Sequence, residues 1–207
     1  MGKKWLNMSN LPKPQLVFFA GVNGAGKSTI YEVAKRKIPS LSYMQYINPD
    51  LLTEKNHGNF FVGAKEALEK RRKLVSLNIP FVFESTFSGK SEFRLLEEAK
   101  NRGYKINGVL VGVSDSSINV QRILQRVSLG GHFVPPADVE RRVSRLTANY
   151  IKIVNLCDRL YVVDNSRGKP FLSLLIKKQK LIRGRINQKW IQEFIDVTKI
   201  KKEELER

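Results

Sequence analysis

Residues 21–29, which read GVNGAGKST, are the part of the sequence with the clearest chemistry. In the spacing Gly-x4-Gly-Lys-Ser/Thr, glycines let backbone N–H groups surround a phosphate, the lysine reaches the β- and γ-phosphates, and the hydroxyl coordinates Mg²⁺. The pattern therefore predicts a site for ATP and Mg²⁺, with Ser28 as the metal ligand alongside the bound nucleotide. The predicted loop residues are Gly21, Asn23, Gly24, Ala25, Gly26, Lys27, Ser28 and Thr29.

The elements around this loop fit the motif. Residues 15–20 form an apolar run typical of a buried parallel strand, and residues 28–37 carry apolar side chains at helical spacing up to Pro39. A strand, a glycine-rich loop and the positive end of a helix make an anion-binding arrangement. The alternative, a glycine turn with a surface lysine, does not require this context.

The next two predicted strands, at 43–47 and 80–84, each lead to a carboxylate: Asp50 comes shortly after the first, and Glu84 ends the second. Ligands of an open α/β sheet bind outside the carboxyl ends of its strands. Asp50 is therefore a candidate base for the proton of an acceptor hydroxyl. Glu84, with Thr86 beside it, is a candidate for orienting the acceptor or holding a Mg²⁺-bound water. The alternatives are a helix N-cap for Asp50 and a structural ion pair for Glu84.

Arginines on two consecutive predicted helices could bind a transferred phosphate. Arg122 and Arg126 are four residues apart and share a helix face. The glycines at 130–131 allow a hinge, and His132 beside them could contact a phosphate or simply pack there. The following helix carries Arg141, Arg142 and Arg145. The pattern predicts a lid at about 122–145 that closes on phosphates, or else two amphipathic helices with solvated arginines.

Strands and helices alternate along the rest of the chain, which predicts an α/β fold with a mostly parallel, doubly wound sheet. In the helix predicted at 62–77, Arg71 falls on the solvent-facing side. The other predicted helices are 91–101, 116–129, 138–155 and 188–206, and the other predicted strands are 105–113, 159–163 and 171–176.

The net charge of +18 is a second property of the whole chain. It is spread along the sequence, with one dense block at 177–189 that contains no acid. Such a charge can indicate polyanion binding, so nucleic acid is an alternative partner, but solvated or phosphate-facing cations are the preferred interpretation. Trp190 beside the block is expected to anchor the last helix rather than to stack on bases.

Several common protein classes are disfavoured. A 207-residue chain is long enough for one full core. It has no run of 18 apolar residues, and residues 1–13 lack the apolar stretch of a secretory signal. The single Cys157 cannot form an internal disulfide, and its apolar neighbours predict burial. We therefore expect a cytoplasmic protein.

Read together, the motifs resemble the zeta-toxin family of P-loop kinases, and more closely its compact branch. Each motif is short, but their order and joint presence between about residues 15 and 166 are specific. The motifs are residues 21–29, Asn48-Pro-Asp50, FESTFSG at 83–89, Arg126-Val-x-x-Gly-Gly-His132-x-Val-Pro135, Arg141-Arg142 and Asp164-Asn-Ser166.

The resemblance implies a three-layer P-loop kinase fold with an arginine lid. It also implies the toxin of a bacterial toxin–antitoxin pair, neutralised by a separate antitoxin protein. Such a toxin uses ATP to phosphorylate the 3′-hydroxyl of UDP-N-acetylglucosamine, or a related nucleotide-sugar, and so starves cell-wall synthesis. By domain, it implies an N-terminal extension at 1–14, a kinase domain at 15–176, and a basic turn with a C-terminal helix at 177–207.

Residue by residue, the resemblance assigns ATP·Mg²⁺ binding to Lys27 and Ser28, and the acceptor base to Asp50. Glu84 and Thr86 would line the acceptor pocket. Arg126 and Arg142 are the foremost lid candidates for the transferring phosphate, with Arg122, His132 and Arg141 as further contacts. The alternatives are a nucleic-acid-binding P-loop ATPase or polynucleotide kinase, and a regulatory module that binds nucleotide without turnover.

Overall fold

A seven-stranded sheet runs through the computed structural model, which describes residues 13–201. The strand order is β2-β3-β1-β4-β5-β6-β7; the first five strands are parallel and the last two are antiparallel. The strands are β1 (Gln15–Ala20), β2 (Gln45–Ile47), β3 (Phe81–Ser85), β4 (Lys105–Gly112), β5 (Arg159–Asp164), β6 (Phe171–Lys177) and β7 (Lys180–Gly184). The predicted α/β class and mostly parallel sheet are confirmed.

Helices cover both faces of the sheet. Because side chains alternate along a strand, Leu16 and Phe18 of β1 belong to one buried cluster, while Val17 and Phe19 belong to the other. The resulting three layers are the ones predicted. The helices are α1 (Lys27–Lys37), α2 (Pro39–Ser42), α3 (Pro49–Lys55), α4 (Phe60–Ser76), α5 (Ser91–Asn101), α6 (Ser116–Ser128), α7 (Pro136–Ala148), α8 (Tyr150–Leu156) and α9 (Lys189–Thr198).

The strand order determines which loops can form a site. β1 lies between β3 and β4, and β2 lies on the far side of β3. Since these strands are parallel, the loops that follow β1, β2 and β3 all emerge at one edge of the sheet. The loop at 21–29, Asp50 and Glu84 therefore come together although they are far apart in the chain.

Two predicted elements near the C-terminus are wrong in detail. The single helix expected at 138–155 is two helices, α7 and α8, because the chain bends at Asn149, whose side chain donates to the Phe87 carbonyl (2.9 Å). The basic turn expected at 177–189 contains strand β7. Lys178 and Gln179 both have positive φ (47° and 66°), as a tight two-residue hairpin requires, but they are not the usual residues for it.

The helix predicted at 188–206 is shorter in the structure. It ends at Thr198, and Lys199 takes a left-handed conformation (φ 52°) that stops it. The predicted positions 202–206 lie outside the described residues, as does the N-terminal extension except for its last two residues.

Arg71 on α4 departs furthest from the expected pattern. It was predicted to face solvent, but only 5% of its surface is exposed, because α3 and α5 both pack against α4 and cover more than one of its faces. Its guanidinium carbon lies 4.7 Å from the centre of the Phe83 ring.

Other expectations about the core are confirmed. Cys157 is a buried free thiol, and Trp190 is buried with its Nε1 donating to Asp164 Oδ1 (3.0 Å), so it anchors α9. Within residues 13–201, none of the helices combines the length and the apolar character that crossing a membrane needs.

Candidate active site

The loop at 21–29 has the backbone geometry of a phosphate-binding loop. Gly24 and Gly26 have φ values of 78° and 95°, a region that side-chain-bearing residues rarely enter. α1 begins at Lys27 directly after the loop, and its first turn contains no acidic residue. The unpaired N–H groups of that turn are therefore available to an anion.

Two asparagines from distant parts of the chain hold the loop in place. Asn119 on α6 donates its side-chain amide to the Asn23 carbonyl (2.9 Å), and Asn165 after β5 donates to the Ala25 carbonyl (2.8 Å). Sequence reasoning missed both roles. Asn165 could have been found, because it lies at the carboxyl end of a strand in the Asp164-Asn-Ser166 motif.

Arg122 also braces this loop. It donates to the Asn165 carbonyl (2.8 Å) and, at longer range, to the Gly24 carbonyl (3.4 Å). The prediction placed Arg122 among the residues that bind the substrate. In the structure its guanidinium donates to backbone carbonyls instead, because the first turns of α6 pack beside the loop.

Glu84 is the buried acid of the site, with 3% of its surface exposed. The Ser28 hydroxyl donates to its Oε2 (3.0 Å), and the Tyr46 hydroxyl donates to its Oε1. Tyr46 is itself fixed by the Asn48 side-chain amide (3.1 Å). The alternative prediction for Glu84 was a structural ion pair, whereas the structure shows an acid held by hydrogen bonds from two hydroxyl groups.

Burial shifts the pKa values of both charged groups beside the loop. Desolvation raises the pKa of Glu84, an effect that the nearby Lys27 charge and the two hydroxyl donors oppose. Desolvation likewise lowers the pKa of Lys27, opposed by the charges of Glu84 and Asp50. The Glu84 and Lys27 charges are thus both desolvated, and each is stabilised mainly by the opposite charge of the other.

The donor set at Ser28 and Glu84 fits Mg²⁺. Both residues offer oxygen, which Mg²⁺ prefers, and P-loop enzymes hold the ion with the loop hydroxyl and a nearby acid. No cluster of three or more His, Cys, Asp or Glu side chains within residues 13–201 could hold a metal by itself. The ion would therefore be bound jointly with phosphate oxygens, as Mg²⁺ usually is.

We expect Glu84→Gln to become more stable relative to the wild type as pH rises. A carboxyl group whose folded pKa is raised favours folding below its unfolded pKa, and this contribution is lost as pH rises through the folded pKa. The measurement is the thermal unfolding of both proteins, without nucleotide, from pH 4 to 8. Added Mg²⁺·ATP should raise the unfolding temperature of the wild type more than that of the variant. If the difference in unfolding temperature between the two proteins does not change with pH, the raised pKa of Glu84 is contradicted.

Asp50 is not the cap of α3, contrary to the alternative prediction. Asn48 occupies the N-cap position, and its side chain accepts from the Asp50 N–H (2.9 Å). The Asp50 side chain is 35% exposed, and its Oδ2 lies 3.5 Å from Arg126 Nη1. The Asp50 carboxylate therefore takes no part in capping, and it lines the cleft beside the loop, where its charge acts on Lys27.

The lid contributes two of its five arginines to this region. Arg126 bonds to Asp50 and donates to the His132 carbonyl (2.9 Å), while Arg142 donates to the Asn23 side chain in the phosphate loop. His132 thus packs against Arg126, with their side-chain nitrogens 3.5 Å apart. Of the other three, Arg122 donates to the carbonyls of Asn165 and Gly24, whereas Arg141 and Arg145 are exposed, with Arg141 paired with Asp138 (2.9 Å).

The segment between α6 and α7, predicted as a hinge, has glycines at two positions that disfavour larger residues. Gly130 has a φ of 88°, and a Cβ on Gly131 would come within 2.6 Å of Arg126 Cγ. Gly131 therefore leaves the room that Arg126 needs.

A cleft of about 420 Å³ joins these groups. Its walls are the phosphate loop, the start of α3, one face of α4 and the segment after β3. The predicted site residues that line it are Asn23, Lys27, Asp50, Glu84, Thr86 and Arg142. Arg71 lines it as well, although the sequence pattern placed it in solvent. The arrangement can hold a triphosphate at one end and a second substrate at the other.

We expect hydrogen exchange over residues 126–142 to slow when an ATP analogue and an acceptor are added. The clustered positive charges of the lid repel each other until phosphates neutralise them, and Gly130 permits the movement. Exchange in β6 and β7, the two strands furthest from β2 in the sheet order, is the control and should change little. Unchanged exchange at 126–142 would mean that these arginines are ordinary helix-surface residues.

Comparisons with known proteins agree on the fold. No family model matches the chain. An uncharacterized protein of Haemophilus influenzae is 27% identical over 126 residues, covering 61% of this chain and 90% of its own length. A solved chain of the PezAT chromosomal toxin–antitoxin system of Streptococcus pneumoniae matches with a TM-score of 0.59 and 16% identity, covering 74% of this chain and 69% of that one.

The AvrRxo1-ORF1:AvrRxo1-ORF2 complex, solved with sulphate ions, covers more of the chain. It matches with a TM-score of 0.63 and 15% identity over 92% of this chain and 65% of that one. The same complex has been solved with ATP, and that structure matches with a TM-score of 0.57 and 13% identity over the same shares of the two chains. These similarities bear out the zeta-toxin resemblance at the level of the fold.

Proposed function

We propose that the protein is an ATP-dependent kinase of the zeta-toxin kind, which transfers the γ-phosphoryl group to a hydroxyl of a small molecule. The observation that carries the proposal is the convergence of three parts on one cleft. Lys27 comes from the phosphate loop, Asp50 from the first turn of α3, and Arg142 from the lid, while the lid residue Arg126 reaches Asp50 through an ion pair (3.5 Å). A site that only binds nucleotide does not require a carboxylate facing the loop.

The proposed reaction follows from these positions. The acceptor hydroxyl oxygen bonds to the γ-phosphorus, the bond from that phosphorus to the β–γ bridging oxygen breaks, and ADP leaves. Asp50 accepts the hydroxyl proton, as a general base does. Lys27, Arg126 and Arg142 neutralise charge on the transferring group, and Mg²⁺ at Ser28 and Glu84 would supply further charge neutralisation.

UDP-N-acetylglucosamine or a related nucleotide-sugar is the proposed acceptor. The family resemblance supports this choice, and the cleft beyond Asp50 is large enough for part of such a molecule. The test is incubation of the protein with Mg²⁺·ATP and a panel of UDP-sugars and nucleotides, followed by mass spectrometry for one added phosphate. Phosphorylation of none of the panel, with ATP bound, would rule out this acceptor class.

A toxin role in bacteria, neutralised by a separate antitoxin, completes the proposal. Its support is the motif resemblance together with the fold shared with a chain of the PezAT toxin–antitoxin system. Expression of the wild type in several bacterial hosts should arrest growth, whereas the Lys27→Ala variant should be tolerated. Equal and harmless expression of both proteins would argue against the toxin role while leaving the kinase chemistry standing.

The nucleic-acid alternative rests on the net charge, and the densest block of that charge lies away from the cleft. β7, which carries part of the block, is the strand furthest from β2 in the sheet order. A binding constant for DNA or RNA that falls steeply with salt would favour this alternative.

A further inference from the structure

Among the residues that the structure describes, Arg71 on α4 has no hydrogen-bonding partner, although it is a buried cation. Only 5% of the residue is exposed, and its Nε is buried with no hydrogen bond. Its guanidinium forms no hydrogen bond or ion pair with any group in residues 13–201. Burying a charge in this way is costly unless a partner arrives, so the position needs an explanation.

The surroundings of Arg71 leave its side chain charged but leave its N–H groups without hydrogen bonds within the described residues. Burial lowers the pKa of Arg71 to about 10, and the negative charge of Glu92 opposes the shift. The side chain therefore remains protonated at neutral pH. The Phe83 ring, 4.7 Å away, offers a cation–π contact that leaves the N–H donors of the guanidinium unused.

Glu92 is the nearest candidate for a structural partner, and its oxygens are already engaged. Ser85 Oγ donates to its Oε1 (2.8 Å), and Ser91 Oγ donates to its Oε2 (3.0 Å). No ion pair joins Glu92 to Arg71 in the described part of the chain. Glu92 therefore acts on Arg71 as a nearby negative charge and not as the partner of a salt bridge.

Arg71 lines the same cleft as Asp50, together with polar groups after β3 such as Thr86 and Ser91. The loop at 21–29 and the lid arginines already provide for the phosphates of ATP. An anion at Arg71 would then belong to the second substrate. A guanidinium suits phosphate oxygens, because its planar fork can donate two parallel hydrogen bonds.

We propose that Arg71 binds a phosphate or diphosphate group of the acceptor and so directs the acceptor hydroxyl towards Asp50. This rests on the proposed kinase function and names the residue that would recognise the diphosphate of the proposed nucleotide-sugar acceptor. The acceptor is then a molecule that already carries phosphate, and neutral sugars or polyols are poor substrates.

The test compares UDP with uridine as probes. The wild type, Arg71→Met and Arg72→Met are each saturated with a non-hydrolysable ATP analogue and Mg²⁺, and the affinity for each probe is measured by calorimetry. Arg72 is the matched control, since it is the next residue on α4 and is exposed. Arg71→Met should weaken UDP binding by about 10- to 100-fold and leave uridine binding unchanged, whereas Arg72→Met should change neither.

Thermal unfolding separates a binding role from a structural one. If the unpaired charge serves the ligand, Arg71→Met should unfold at the same or a higher temperature than the wild type, because an apolar side chain of similar length suits a buried site. Should Arg71→Met fail to fold, Arg71→Gln removes the charge while keeping a polar head, and it replaces Arg71→Met in the binding measurement.

The outcomes distinguish this proposal from the function on which it rests. Undiminished UDP binding in the Arg71 variant, with the ATP analogue still bound, would overturn the role of Arg71 and leave the kinase proposal intact. Failure of the wild type to bind the ATP analogue would instead overturn the kinase proposal itself.

Discussion

Asp50→Asn should lower the rate of phosphoryl transfer by about 10²–10⁴-fold while leaving ATP affinity nearly unchanged. The substitution keeps the size of the side chain and removes its ability to accept a proton. It should not disturb α3, because Asn48 is the residue that caps this helix. The ion pair with Arg126 (3.5 Å) is partly exposed and contributes little to stability. The measurements are the initial rate of product formation and the dissociation constant for ATP.

A cap variant provides the control for Asp50→Asn. Asn48→Ala should destabilise the protein by about 1 kcal/mol through the lost cap, with the carboxylate of Asp50 still present. If Asp50→Asn lowers ATP binding and turnover by the same factor, Asp50 is a metal ligand rather than the base. If the rate is unaffected, the kinase proposal loses its proton acceptor.

Lys27→Ala should abolish turnover, with a loss of at least about 10²-fold, and should weaken ATP binding as well. The lysine charge lies in a desolvated position that lowers its pKa, and the Nζ hydrogen bond to the Val22 carbonyl (3.3 Å) is its one bond within the described residues. The fold should therefore survive, with an unfolding temperature close to that of the wild type. Turnover, nucleotide affinity and thermal unfolding of the same preparation check all three expectations.

A second lysine on α1 is the matched control for Lys27. Lys37 lies in the last turn of the helix and is exposed, so Lys37→Ala removes the same charge away from the loop and should keep normal turnover. Near-normal activity of Lys27→Ala would mean that the loop at 21–29 is not the site of an operating P-loop kinase. Lys27 and Asp50 are thus separable, because only Lys27 should affect nucleotide binding.

Patterns that are local in the chain were sufficient to predict the parallel sheet, most of the helices and the phosphate loop. Helix α5 was predicted at its observed bounds, 91–101, because its apolar spacing and the glycine after it are local signals. The glycine-rich loop was recognisable for a similar reason, since its function needs particular residue types at consecutive positions. The parallel sheet followed from the alternation of strands and helices.

Local sequence signals failed at one hairpin turn and at one helix cap. Strand β7 was missed because its hairpin turn uses Lys178 and Gln179 in place of glycine or asparagine. The alternative interpretation of Asp50 as a helix cap was wrong, because Asn48, two residues earlier, makes the capping bond. Either side chain is chemically able to cap, and only the backbone conformation decides between them.

The identity of the residues that share the cleft depended on tertiary structure. Helical spacing alone cannot distinguish Arg122, which braces the loop, from Arg126, which reaches Asp50, because both lie on one face of α6. Arg71 looked like a solvated residue, and the packing of α3 and α5 on α4 buried it beside the cleft. A sequence determines which side chains are available within each element, whereas contacts between elements distant in the chain determine which of those side chains are desolvated and meet a ligand.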